Sequence, residues 1–186
     1  MDVLAPAAGR LLVATPALTD PNFAGTVVLL LDHDADGTLG VVLNRPTELR
    51  AAEVLPAVRG LVAEPTVVFD GGPVTPQSAI AVGLLPEREH DPTWFRRVFS
   101  DIGLVDLDAL VDGQTATEAL RVYAGYAGWD AGQLDAELAE GAWLVLALLP
   151  SDVFHAQPPR LWRTVLRRQP VPLAYLSTWT PDPDTN

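Results

Sequence analysis

The sequence predicts a mixed α/β domain with largely antiparallel pairing. Short Val- and Leu-rich runs bounded by Pro, Gly and Asp clusters dominate its first half. Helical spacings with recognisable stops fall mainly in the second. Its 186 residues, 48% apolar and 19% charged, suffice for one core at roughly 150 residues per domain. A single domain is therefore expected over 1–186, with a core at about 9–176 and fraying at 1–8 and 181–186. No internal repeat or low-complexity linker divides it.

Arg10 to Ala14 reads as a strand stopped by Thr15-Pro16. Thr26 to Leu31 and Leu39 to Leu43 flank the polar stretch 32–38 and read as an antiparallel hairpin. Pro46 turns Arg45 away from helical angles. A short helix is then expected, with Thr47 as N-cap, Leu49, Ala52 and Leu55 on one face, and Pro56 ending it. Thr66 to Phe69 is a strand, with Ser78 to Leu85 as its expected antiparallel neighbour. Gly103 to Leu107 and Leu120 to Ala124 are two more, joined through a helical turn near Asp108 to Val111. The Gly-rich stretch 125–132 is expected to open a helix that Gly141 stops. Ala142 to Leu149, apolar throughout, reads as a central strand. Pro159 to Arg168 reads as a helix, and Pro170 to Leu176 as an added edge strand.

Composition excludes more chemistry than it selects. A formal charge of −12, from 24 acidic and 12 basic residues, repels nucleic acid and anionic lipid at long range. Direct nucleic-acid or membrane binding is accordingly not expected. Every basic residue is Arg, which removes lysine-dependent catalysis and the P-loop. With no Cys there is no thiolate chemistry, disulfide or Cys-ligated zinc. The start of the chain lacks a basic region followed by a long apolar run, and Ala142 to Leu149 is the longest apolar run. A cytoplasmic protein without cofactor is the expectation.

Four features invite a chemical reading. Asp32, Asp34, Asp36 and Gly37 match the first ligand positions of a calcium loop, but Leu43 stands where the bidentate Glu belongs, so a hairpin turn is expected instead. Gly125, Gly128 and Gly132 sit between an expected strand and helix, yet no G-x-G-x-x-G spacing or Gly-Lys follows. Neither the serines at 78, 100, 151 and 177 nor His33, His90 and His155 occupy a hydrolase or metal motif. Arg160, Arg163 and Arg167 share one helix face, with Arg168 adjacent, as a solvated face or a docking patch for an acidic partner or a phosphate.

The segments Gly9–Pro16, Asp20–Phe23, Gly40–Pro46, Gly71–Val74, Arg121–Trp129 and Gly132–Leu134, followed by Ala142–Val145 and Pro159–Trp162, resemble the YqgE/AlgH family in order. The resemblance spans about 9–168. It implies a bacterial α/β fold with a β-barrel-like core flanked by helices, and it implies no reaction. Some members carry a transcriptional-regulator label, which sits badly with the charge. The Asp-rich stretch 32–36 and the lack of Cys depart from many relatives. Three hypotheses follow. The first is a non-enzymatic regulatory or binding protein for a small-molecule or protein partner. Its site is Asn44, Arg45, Gly71, Gly72, Gly125, Tyr126 and Trp129, expected to converge at one face. The second is a carboxylate-dependent enzyme. The third is a regulator acting directly on DNA.

Overall fold

Strand parity organises the molecule. In the computed structural model, which describes residues 4–86, 89–113 and 116–180, successive residues of the first strands point alternately into two apolar clusters. In β1 (Arg10–Ala14), Leu11 and Val13 enter the inner core, whereas Leu12 and Ala14 enter the outer one. In β2 (Val27–His33), Val27, Leu29 and Leu31 point inward while Val28 and Leu30 point outward. β3 (Gly37–Val42) completes the hairpin around the Asp-rich turn.

The next segment departs from expectation. Thr47 caps no helix; it lies in β4 (Pro46–Arg50), its hydroxyl donating to the Val68 carbonyl of β5 (Val67–Asp70) at 2.6 Å. Pairing across the sheet thus overrides the helical spacing, and only α1 (Ala51–Val54) remains of the helix. β6 (Val74–Leu84) does not pair with β5 either. It lies between β8 (Ile102–Val105) and β9 (Ala119–Asp130), with β7 (Phe95–Phe99) beyond β8. β5 instead pairs in parallel with β9. Between β8 and β9 lies α2 (Leu107–Val111), whose N-cap Asp106 accepts from the Asp108 N–H at 2.8 Å.

β9 is the spine of the sheet. Its twelve residues run on through Gly125 and Gly128 of the glycine stretch, so that only Gly132 opens the expected helix. Leu120, Val122 and Ala124 face a third cluster under α1 and α2, whereas Ala127 and Trp129 face the outer cluster. This change of parity occurs at Gly125, which has φ +68°. One irregular residue lets a single strand serve both halves of the sheet.

α3 (Gln133–Ala139) follows and ends at Gly141, also at positive φ, as expected. β10 (Trp143–Ala147) is the outermost strand beside β1, not a central one. Its apolar character arises because both its faces are covered: Trp143 and Val145 meet the outer cluster, and Leu146 meets the inner one. α4 (Pro150–Val153) and a 3₁₀ turn lead to α5 (Leu161–Arg167), whose Leu161, Trp162, Val165 and Leu166 close the inner core. The segment expected as an edge strand, Pro170 to Leu176, forms instead a 3₁₀ helix at Leu173–Thr178 packed on α5.

The strand order β10-β1-β2-β3-β9-β6-β8-β7 curls into a half-barrel, mixed α/β in class and antiparallel apart from β5–β9. The curl brings Phe99 of β7 onto Gly9 and Arg96 to within 3.5 Å of Asp32. That ion pair is exposed and contributes little; the apolar inner face holds the curl. Among the described residues, no helix is long and apolar enough to cross a membrane. Residues 181–186, expected to fray, and 1–3 at the other end lie outside the described residues.

Candidate functional site

Five of the seven motif residues, Arg45, Gly71, Gly72, Gly125 and Tyr126, meet at one crossing. Gly71 donates its N–H to the Ala124 carbonyl at 2.8 Å, and its own carbonyl accepts from Val42 at 2.9 Å. It therefore sits where β9 exchanges β5 for β3 as neighbour. A Cβ on Gly71 would collide with the Gly125 carbonyl, and one on Gly72 with the Tyr126 backbone. The glycines are needed because two backbones touch there. Arg45 joins through its carbonyl, which accepts from Asp70 N–H at 2.9 Å. Trp129 stands apart, farther along β9.

The side chains of Asn44, Arg45 and Trp129 act on another segment, the 15–26 connection between β1 and β2. Asn44 Oδ1 accepts from Val27 N–H and its Nδ2 donates to the Gly25 carbonyl, both at 2.9 Å. Arg45 Nη2 donates to the Pro21 carbonyl at 2.9 Å. Phe23 stacks on Trp129 at 5.8 Å and meets Trp143 edge-on at 5.5 Å. Both indole N–H groups donate to Glu137 Oε2, at 2.9 and 2.7 Å. The motif residues thus pin the loop at its middle and at the end that enters β2.

That loop forms one wall of an apolar cleft of about 440 Å³. Thr15, Pro16, Leu18 and Gly25 line it on this side; Pro159, Trp162 and Arg163 face them, with Trp179 at the rim. Trp162 is fixed by an N–H···O bond to the Ala14 carbonyl at 2.8 Å. Trp179, 43% exposed, packs edge-on to it at 6.5 Å. Sequence reasoning passed over these aromatic residues because they come from segments more than 140 residues apart in the chain from Thr15 and Leu18. The Pro159–Trp162 match was the one available signal.

Beside the cleft, and sharing Pro159 and Arg163 with it, lies a polar recess of about 430 Å³ lined by His155, Gln157, Arg160, Thr164 and Arg167. Beneath it Arg121 is wholly buried on the inner face of β9. Its guanidinium donates to the carbonyls of Val153 (2.8 Å), Glu64 (2.7 Å) and His155 (2.9 Å) and lies 4.4 Å over the Phe69 ring. Burial lowers its pKa, partly offset by Tyr123. Arg121 therefore fixes the lead-in to α5. Arg168, next to the recess, is spoken for: its Nη1 and Nη2 pair with Asp152 Oδ1 and Oδ2 at 2.6 and 2.7 Å, and Asp152 is 2% exposed.

The other candidates resolve into turn chemistry. Asp34 Oδ1 accepts from the N–H groups of Asp36 and Gly37, closing the β2–β3 hairpin. Gly125 and Gly128 lie inside β9, and Gly132 is the left-handed N-cap of the seven-residue α3, so the phosphate-turn arrangement does not form. The His33 ring meets the Thr38 hydroxyl at 2.7 Å, and His155 Nδ1 accepts from Gln157 N–H at 3.1 Å. The Ser78 and Ser177 hydroxyls donate to carbonyls three residues back. Among the described residues, no group of three or more His, Asp or Glu is arranged to hold a metal ion.

Known proteins share this architecture. The AlgH-like family model matches residues 11–174. A UPF0301 protein of Streptomyces coelicolor is 54% identical over 182 residues, covering 96% of this chain and 94% of that one. One from Mycobacterium tuberculosis is 43% identical over 186 residues, covering 95% and 92%. A crystal structure of a Corynebacterium diphtheriae protein superposes with a TM-score of 0.88 at 33% identity, over 96% of this chain and 95% of that one. The solution structure of the AlgH protein from Pseudomonas aeruginosa gives 0.68 at 30%, over 98% and 100%. With the fold and nearly the full length matched, this chain belongs to the AlgH-like family.

Proposed function

We propose that the protein is a non-enzymatic binding protein whose ligand enters the cleft between the β1–β2 connection and α5. The observation that carries this reading is the apolar lining of an open cleft of about 440 Å³, with an indole at its rim. Concave, mostly apolar sites with a few placed polar groups are the usual form of small-molecule sites. In this reading Asn44, Arg45 and Trp129 position the loop, and Gly71, Gly72, Gly125 and Tyr126 position the strands beneath it. Direct action on DNA and carboxylate catalysis are the competing readings; the net charge of −12 weighs against the first.

Titration with a neutral aromatic probe, 1-naphthol, followed by amide NMR tests it. Shifts are expected in residues 15–25 and 159–179, and Trp179→Ala should weaken binding severalfold. Shifts elsewhere, or none at millimolar probe, would overturn the reading.

A further inference from the structure

The arginine recess has no counter-charge among the described residues. Among the described residues no carboxylate lies within ion-pair distance of Arg160, Arg163 or Arg167, in a chain with twice as many acids as bases. Arg163 donates to the carbonyls of Ser177 (2.8 Å) and Trp179 (3.2 Å), which leaves its charge uncancelled. Spacing of three and four residues stacks the three guanidinium stems on one side, and like charges so placed repel. A favourable interaction with the helix C-terminus accounts for Arg167 but not for Arg160. Arg160 stands at the N-cap of α5, where a cation opposes the dipole. A bound anion removes both penalties at once.

The recess opens onto the apolar cleft through Pro159 and Arg163, which line both. We propose that the two form one site for a small amphiphile, with a flat apolar body in the cleft and a phosphate group on Arg160, Arg163 and Arg167. This deepens the binding-protein reading and rests on it. A small anion suits the site better than a nucleic acid. It meets three local cations at short range, whereas an extended polyanion also meets the rest of a surface of charge −12.

Titration calorimetry with 1-naphthyl phosphate, 1-naphthol and inorganic phosphate separates the possibilities. The ester is expected to bind at least about tenfold more tightly than naphthol, roughly one charge-assisted hydrogen bond. That advantage should vanish in the Arg160→Ala/Arg167→Ala double variant and shrink with added salt. Neither side chain makes a side-chain hydrogen bond or ion pair among the described residues, so the variant should fold; the exposed Arg50→Ala serves as a control with unchanged affinity. Equal affinity for ester and naphthol would overturn the anionic half and leave the cleft standing. Binding of neither would overturn both. Inorganic phosphate binding as tightly as the ester would break the link between recess and cleft. A random-sequence duplex that binds at about 0.15 M salt and fails to bind the double variant would replace the amphiphile with nucleic acid.

Discussion

The inner face of β9 and the outer face of α5 both present arginine, and they use it in opposite ways. Arg121 is fully buried, lies against Phe69, and holds three backbone carbonyls. Arg160 and Arg167 are exposed at the mouth of a recess and hold nothing in the described structure. A guanidinium suits both settings because its planar fork of donors can hold several carbonyls inside or be left facing out. The difference teaches where stability and recognition are kept in this molecule. They are joined through His155, whose carbonyl accepts from Arg121 and which also lines the recess.

The sharpest way to break the comparison is to remove Arg121. Arg121→Ala orphans the carbonyls of Glu64, Val153 and His155 and opens a cavity, so about 3–5 kcal/mol should be lost in urea unfolding. Arg121→Lys should recover only part of it, because one ammonium cannot span three carbonyls aligned for a planar fork. A loss under 1 kcal/mol would mean the buried arginine is not structural.

Gly125→Ala tests the same strand four residues on. At φ +68°, with Gly72 and Val74 carbonyls pressed against the missing Cβ, the substitution should cost about 2–3 kcal/mol. Gly132→Ala, also at positive φ but with open space around it, should cost about 1 kcal/mol. Equal losses at the two glycines would remove the argument that the strand crossing is sterically closed.

Tyr123, beside Arg121, offers a test in pH. Its hydroxyl is buried without a hydrogen-bond partner, and burial raises its pKa well above the ordinary value, with Arg121 partly opposing. Above pH ~10 the unfolded chain releases a proton that the folded chain retains, so stability should fall as pH rises. Tyr123→Phe should flatten that alkaline fall and, by deleting the unpaired hydroxyl, raise stability at neutral pH by up to about 1 kcal/mol. Thermal unfolding between neutral and alkaline pH measures both.

At the small end, Arg160→Ala and Arg167→Ala should shift the unfolding free energy by no more than about 0.5 kcal/mol. A larger loss in either would make the α5 face structural like the β9 face, and the contrast would disappear.

The first strands were legible because alternation is a local signal with a strong physical cause. A one-residue slip of Leu11–Ala14 or Val27–Leu31 would exchange the contents of two cores. The same logic misled at Thr47–Leu55, where helical spacing lost to pairing between β4 and β5. It misled again at 125–130, where the strand continues past Ala124 and nothing local announces that another backbone crosses there, although the helix does open at Gly132. The motif residues of the candidate site were legible as residues, since the resemblance marks them, but their work was not. Asn44 and Arg45 act on carbonyls about twenty positions away.

By itself, the sequence determined the class, the hairpin, the helix stop at Gly141 and the exclusion of thiol and lysine chemistry. Each follows from composition or from neighbours a few residues apart, whose sterics and hydrogen bonds do not wait for the rest of the chain. Tertiary structure alone decided that β10 is an edge, that Arg121 is buried among carbonyls, and that Leu18, Trp162 and Trp179 share a cleft. Those facts depend on which distant segments meet when the sheet curls, and the curl is set by the packing of all its strands together, which no local pattern encodes.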